Sequence, residues 1–354
     1  MRDLAVDELD YPFDPRLVAT APASPRDAAR LMVVDRASGA VEHAQVRDLG
    51  RWLGAGDAMV LNRTSVLRAR LRTADTEGLL LEPCPDGSWR MLLRRAARRR
   101  AGEVLALVGP TRRPTGDAVE LLARDAEAWR VRIVPGPAGG GPFDAIERSG
   151  WTPLPPYILR ERKGRDEPGD DDADRREYET VYALAAERGS VAAPTAGLHF
   201  TEGLLAGLAA RGVRRADVVL HVGAGTFRPV DAPTLSAHPM HAERVWVPAA
   251  TRAMLSGRPR PRIVAVGTTV VRALEGIPED APPGDWSGST SILIAPGHRF
   301  RHVDAMLTNF HLPRSTLLAL VGAFAGLDRL KDLYALAQRE GYRFYSFGDA
   351  MLVL

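Results

Sequence analysis

An α/β layer interrupted by a small all-β module is the fold class that the sequence predicts, and three observations predict it. From residue 178 to the end, apolar runs of strand length alternate with amphipathic stretches of helix length, the pattern of strands buried on both faces beneath helices. Between residues 65 and 150 the runs shorten and are broken by Gly, Pro or Asp, as in GLLLEP, SWRMLLRR, VLALVG, AVELLAR and AWRVRIVPG. That spacing suits a small β-barrel or sandwich. The length of 354 residues fits about two domains.

Individual elements follow in chain order. Residues 1–60 carry short apolar runs at Leu31–Val34 and Ala58–Leu61. PGPAGGGP (135–142) is a loop leaving the β module. ERKGRDEPGDDDADRRE (161–177) has almost no apolar residue and is expected to be a mobile surface loop. Thr201 caps a helix with Leu204, Leu205 and Leu208 on one face, stopped by Gly212. Asp217–Val222 is expected as a strand. Arg262–Val266 is another, running into Gly267-Thr268-Thr269 and a helix, and Ser291–Ala295 is a third. Ser315 opens a helix with Leu317, Leu318, Val321 and Phe324 inward, ending near Gly326. Asp328–Glu340 is amphipathic and stopped by Gly341.

Composition narrows the function classes. Apolar residues at 45% and charged residues at 26% are ordinary for a globular chain and exclude a largely disordered one. No apolar run reaches the length of a transmembrane helix, and the N-terminus lacks the apolar core of a signal peptide. The single cysteine, Cys84, excludes an internal disulfide and any Cys-rich metal site. A soluble cytoplasmic protein is expected. Net charge is +3. The basic residues are nearly all arginine, with only Lys163 and Lys331 as lysines, which fits codon bias. The densest cluster is Arg94, Arg95, Arg98, Arg99 and Arg100, followed by Arg112 and Arg113. Such a strip can neutralise phosphates or simply form a solvated face.

Chemistry is concentrated in four glycine-containing loops, 189–201, 220–230, 266–275 and 308–316, each between apolar segments. Loops at strand ends are where α/β proteins hold ligands. Three of them carry His199, His221 and His311, and HPMHAE (238–243) adds His238 and His241. Standard sites fail. GAGTF (223–227) lacks the third glycine of a dinucleotide fingerprint, and neither a P-loop nor a nucleophile elbow occurs. His238 and His241 with Glu243 or His221 form a poor zinc set, since Pro239 opposes a regular helix. No metal is expected. Gly267-Thr268-Thr269 at a helix start can present backbone N–H groups to an anion, or can be a simple capped turn.

Longer motifs carry a resemblance. GSVAAPTAGLHFT, LHVGAGTFRPV, HPMHAE, AVGTTVVRALE, VDAMLTNFHLPRSTLLALVGAFAG and YRFYSFGDAML, with PLPPYI (153–158) and PRDAARLMVVDR (25–36), span the chain. They closely resemble the S-adenosylmethionine:tRNA ribosyltransferase-isomerase family of queuosine biosynthesis. The resemblance implies an α/β catalytic domain (1–64 and 151–354) carrying an inserted small β-barrel domain (65–150). It implies transfer of the ribosyl part of S-adenosylmethionine to 7-aminomethyl-7-deazaguanine in the tRNA wobble position. The product is epoxyqueuosine, with adenine and methionine released. S-adenosylmethionine is then a co-substrate, tRNA the partner, and a monomer is expected.

The implied reaction starts at a sulfonium, which acidifies the adjacent ribose C5′–H. A base removes that proton, adenine leaves, the substrate amine adds at C1′, and epoxide formation expels methionine. A histidine is the natural base, so His199, His221 and His311 are the catalytic candidates. Thr195, Gly197, Gly223, Gly225, Thr226, Arg228, His241, Gly267, Thr268, Thr269 and Asn309 are the substrate-binding candidates. Departures fall in the acceptor half. The family's N-D-T-R-V is NRTSV here, giving Arg63 and Ser65. Its R-Y-Q-T-V-Y is EYETVY, giving Glu177 and Glu179. The barrel's lysine-rich stretch is only loosely echoed by RRAARRRAG (94–102), and RTADTEG (72–78) replaces T-G-G-K-V-E. Three readings therefore stand at this point: a tRNA enzyme, a paralogue passing the same ribosyl unit to another acceptor, and a non-enzymatic RNA-binding protein.

Overall fold

The computed structural model describes residues 3–125, 128–223 and 230–354. Its larger sheet has nine strands. Four parallel neighbours form the middle, in the order Arg214–Leu220, Asp57–Asn62, Arg262–Val266 and Ala305–Asn309. Ala350–Val353 adds on antiparallel to the last of these and parallel to Arg30–Val34, and Val41–Gln45 closes that edge. Glu243–Val247 and Trp286–Thr290 close the other edge, antiparallel.

The middle strands are apolar without a break because both faces are covered. Ala58, Val60, Ile263, Ala265 and Met306 pack into one core with the helices Thr268–Glu275, Thr316–Ala325 and Leu327–Arg339. The alternate residues Met59, Leu61, Val264, Val266 and Leu307 pack on the opposite face with Phe200 and Leu208. Helix starts follow the local chemistry expected of them. Thr201 accepts from Leu204 N–H, and Ser315 from Leu318 N–H, each satisfying a first-turn donor.

The smaller sheet has six antiparallel strands drawn from residues 70–134, in the order Arg70–Arg72, Glu77–Pro83, Trp89–Leu93, Trp129–Val134, Pro114–Arg124 and Val104–Val108. It curls into a half-barrel around Leu80, Trp89, Met91, Val119, Leu121 and Val131, and the helix Pro142–Ser149 adds Ala145 and Ile146 to that core. The strand Trp129–Val134 alternates buried and exposed residues, the mark of a sheet with one solvated face.

Two local expectations are corrected. The segment 161–177 is not a mobile loop. Pro156–Gly164 and Asp171–Glu177 are helices. They are tied by a buried ion pair, Arg162 to Asp174 at 2.7 Å, and Arg162 also donates to Thr20 O. Most charges of the segment are exposed as expected, but Arg162 and Asp174 are buried and paired with each other. The strand expected at Ser291–Ala295 lies earlier, at Trp286–Thr290, where it pairs with Glu243–Val247. Its burial is mostly polar and exposed, so an apolar-run criterion misses it. Among the described residues no helix is long and apolar enough to cross a membrane.

Candidate active site

The carboxyl ends of the parallel strands deliver loops to one narrow cavity. Leu220 leads to Val222, Val266 to Gly267-Thr268-Thr269, and the strand Ala305–Asn309 runs directly into Phe310, His311 and Leu312. Ligands bind outside such strand ends in open α/β sheets. Ala193, Thr195 and Ala196 close the cavity from one side, and Tyr157, Tyr345 and Ser346 from another. The candidate residues Thr195, Gly267, Thr268, Thr269, Asn309 and His311 are thus brought together.

Gly267 makes this geometry available. Its φ of 95° lies in the region that favours glycine and turns the strand straight into the helix Thr268–Glu275. First-turn amides of a helix lack intrahelical acceptors and carry partial positive charge. Thr269 is 7% exposed, and its hydroxyl has no hydrogen-bond partner among the described residues. A buried hydroxyl left unsatisfied costs stability, so a bound carboxylate or ribose oxygen suits it.

The three histidines separate. His311 lines the cavity, with Nε2 paired to Thr308 Oγ1 at 2.8 Å and its backbone N–H donating to Tyr334 Oη. His199 sits behind the wall, where its Nε2 accepts from Asn309 Nδ2 at 3.2 Å. His221 opens instead into a separate surface pocket with Glu187, Arg244 and Trp246, its Nδ1 bonded to Thr64 Oγ1 at 2.9 Å. Burial lowers the pKa of His311 to about 3 and that of His221 to about 4, with Arg244 contributing to the latter. Burial, then the cations Arg343 and Arg26, lower His199 to about 4. All three are neutral at pH 7.

Other candidates are placed elsewhere. Gly197 does not line the cavity. It is a close-packing position, since a Cβ there would lie 1.9 Å from Tyr182 Oη. Gly223 N–H donates to Glu243 Oε1 at 3.3 Å, and that carboxylate is paired to Arg272 at 2.7 Å. His241 is exposed. Gly225, Thr226 and Arg228 lie outside the described residues. Among the described residues no group of three or more His, Cys, Asp or Glu side chains could hold a metal ion.

Residue-by-residue reasoning missed Tyr157, Tyr345 and Ser346. Tyr157 hydroxyl bonds Ser346 Oγ and accepts from Ser346 N–H at 3.1 Å, and burial raises its pKa to about 12. The signal lay in PLPPYI and YRFYSF, motifs from distant parts of the chain that meet only in three dimensions.

Of the four acceptor-half departures, Ser65 and Glu179 meet and Arg63 lies elsewhere. Ser65 Oγ and Val66 N–H both donate to Glu179 Oε2, at 2.8 and 3.0 Å. Arg63 lies apart, paired with Glu187 at 3.2 Å and stacked over Trp246. Glu177 ends the helix Asp171–Glu177, where its charge faces Arg26. Ser65 and Glu179 are thus bonded to each other, and Arg63 is paired with Glu187 while its Nε has no partner among the described residues.

Known proteins resemble this chain over its whole length. The family model described as queuosine biosynthesis protein matches residues 6–353. An S-adenosylmethionine:tRNA ribosyltransferase-isomerase of Gluconacetobacter diazotrophicus is 46% identical, covering 100% of this chain and 97% of the relative. One of Moorella thermoacetica is 45% identical over 99% of this chain and 100% of the relative. The crystal structure of an S-adenosylmethionine tRNA ribosyltransferase from Thermotoga maritima aligns with a TM-score of 0.54 and 34% identity. That alignment covers 98% of this chain and 100% of the other. With a match from one end to the other in sequence and fold, the chain belongs to the queuosine biosynthesis protein family.

Proposed function

We propose that this protein transfers and isomerises the ribosyl moiety of S-adenosylmethionine onto 7-aminomethyl-7-deazaguanine in tRNA, giving epoxyqueuosine with release of adenine and methionine. The observation that carries the reading is the single cavity at the parallel strand ends. It joins the helix start at Thr268 and Thr269 to His311 and Asn309. The relatives named for this reaction match over the full chain.

In this reading the amides at the start of the Thr268–Glu275 helix and the Thr269 hydroxyl hold a donor oxygen anion or ribose hydroxyl. Thr195 and Asn309, bonded to each other at 3.2 Å, set the orientation of the neighbouring wall. His311 is the one described lining side chain that is both basic and unprotonated at neutral pH, since burial keeps Tyr157 and Tyr345 protonated. It takes the C5′ proton that the sulfonium acidifies. Its low pKa makes it a weak base in the empty cavity, so the acidity of the donor supplies much of the driving force. His199 acts through Asn309 as a positioning residue. His221 takes no part in this cavity.

Arg63 is paired with Glu187 and Glu179 with Ser65, so these charges have partners within the chain, which supports the tRNA reading. Its test is adenine release from S-adenosylmethionine by the purified protein. Release that requires tRNA carrying 7-aminomethyl-7-deazaguanine is expected. Release without any tRNA favours the paralogue, and no release under either condition rejects the enzyme.

A further inference from the structure

A second cavity, of about 430 Å³, lies where the strand Ser65–Val66 and the stretch 175–188 meet. Its wall contains five arginines, Arg26, Arg68, Arg175, Arg176 and Arg188, against one carboxylate, Glu179. Outside the wall, Glu147 holds Arg175 at 2.9 Å and Arg188 at 3.5 Å. Arg68 donates to Glu147 O, and its buried Nε has no hydrogen-bond partner among the described residues. This is a preorganised cationic wall with donor capacity left over, suited to phosphate oxygens.

The floor carries a second unused donor. Thr180 lines the cavity at 4% exposure, and its hydroxyl has no partner among the described residues. Glu179 beside it is occupied in fixing the wall through Ser65 and Val66.

Tyr178 lines the second cavity with its side chain almost wholly buried, and its hydroxyl has no hydrogen-bond partner among the described residues. Ala193 and Ser346, which line the first cavity, are among the groups that act on its ionisation from the far side. A transfer between two bound substrates needs the reacting atoms within about 3–3.5 Å of each other. An acceptor site must therefore adjoin the donor site, and Tyr178 is the side chain that separates the two cavities here.

Building on the proposed tRNA reading, we infer that this cavity receives the acceptor nucleotide, with its phosphates against Arg68 and Arg175 and its base edge against the Thr180 hydroxyl. The amine then approaches the donor past Tyr178. The basic strip at Arg94–Arg100 serves more distant phosphates.

The test uses an anticodon stem–loop RNA carrying 7-aminomethyl-7-deazaguanine and three variants of the full chain, Arg68→Gln, Arg175→Gln and Thr180→Val. Acceptor KM at saturating donor, RNA Kd by anisotropy across salt, donor Kd by calorimetry and melting temperature are measured for each. Each variant is expected to raise acceptor KM and RNA Kd about tenfold, the scale of one lost charged or buried hydrogen bond. Each arginine variant also flattens the salt slope by about 0.7. Donor Kd stays within about twofold, an RT-scale change. Unchanged acceptor KM and RNA Kd in stably folded variants would overturn the inference while leaving the function intact. A variant that melts early is judged by its RNA Kd below its melting temperature. If wild-type protein binds the RNA but releases no adenine, the functional reading fails and the variants' Kd values alone decide the cavity. If wild-type protein does not bind the RNA, both fail.

Discussion

Acid destabilises this fold through its buried histidines, and the size of the effect follows from their surroundings. His199 and His311 are wholly buried and neutral, with folded pKa values of about 4 and about 3, against about 6.5 in the unfolded chain. Between those values the unfolded chain binds more protons than the fold, so stability falls as pH falls. From pH 7 to pH 5 each histidine removes about 2 kcal/mol, at about 1.4 kcal/mol per pH unit below its unfolded pKa. His311→Gln keeps a polar atom near Thr308 Oγ1 and removes the titration. The variant should therefore lose about 2 kcal/mol less than wild type over the same interval, whatever its stability at pH 7. Guanidinium melts at the two pH values give this double difference, and imidazole NMR titration reads the pKa directly. Equal pH slopes for the two proteins, or a His311 resonance titrating near pH 6.5, would refute the account of a desolvated neutral ring.

Further outcomes follow from specific contacts. Gly197→Ala forces a Cβ to 1.9 Å from Tyr182 Oη and should cost about 1–3 kcal/mol by overpacking, seen as a lower melting temperature. Arg162→Met strands the buried Asp174 carboxylate and should cost about 3–5 kcal/mol, with loss of protection in 156–177 by hydrogen exchange. Unchanged exchange there would restore the mobile loop. Thr269→Val removes an unpartnered hydroxyl, so folding stability should hold or rise while donor Kd weakens about tenfold, measured by calorimetry. Neutralising Arg94, Arg95 and Arg98 should flatten the salt dependence of tRNA binding by less than three full phosphate contacts of about 0.7 each, because Arg94 is already paired with Glu77 at 2.6 Å.

Local order was largely legible in the sequence, and the assembly of the site was not. Strand Arg262–Val266, the Gly267 turn and the helix after it could be read directly, because an apolar run, a glycine and a capped amphipathic stretch are nearest-neighbour signals. The caps Thr201 and Ser315 were legible for the same reason. Five of the six strands of the half-barrel were legible from turn spacing, and the three-residue strand Arg70–Arg72 was not. The segment 161–177 was misread because charge pattern alone cannot tell a solvated carboxylate from one paired with a buried arginine twelve residues earlier. Three histidines in similar loops looked equivalent, yet strand order decides which loop faces which cavity. The strand Ala305–Asn309 ends in the donor cavity, so His311 lines it. His221 directly follows the strand Arg214–Leu220, bonds the backbone of the neighbouring strand at Arg244 and faces a different pocket. Tyr178, with Ser346 and Ala193 on its far side, joins residues far apart in the chain, and only the packing of the folded chain brings them together.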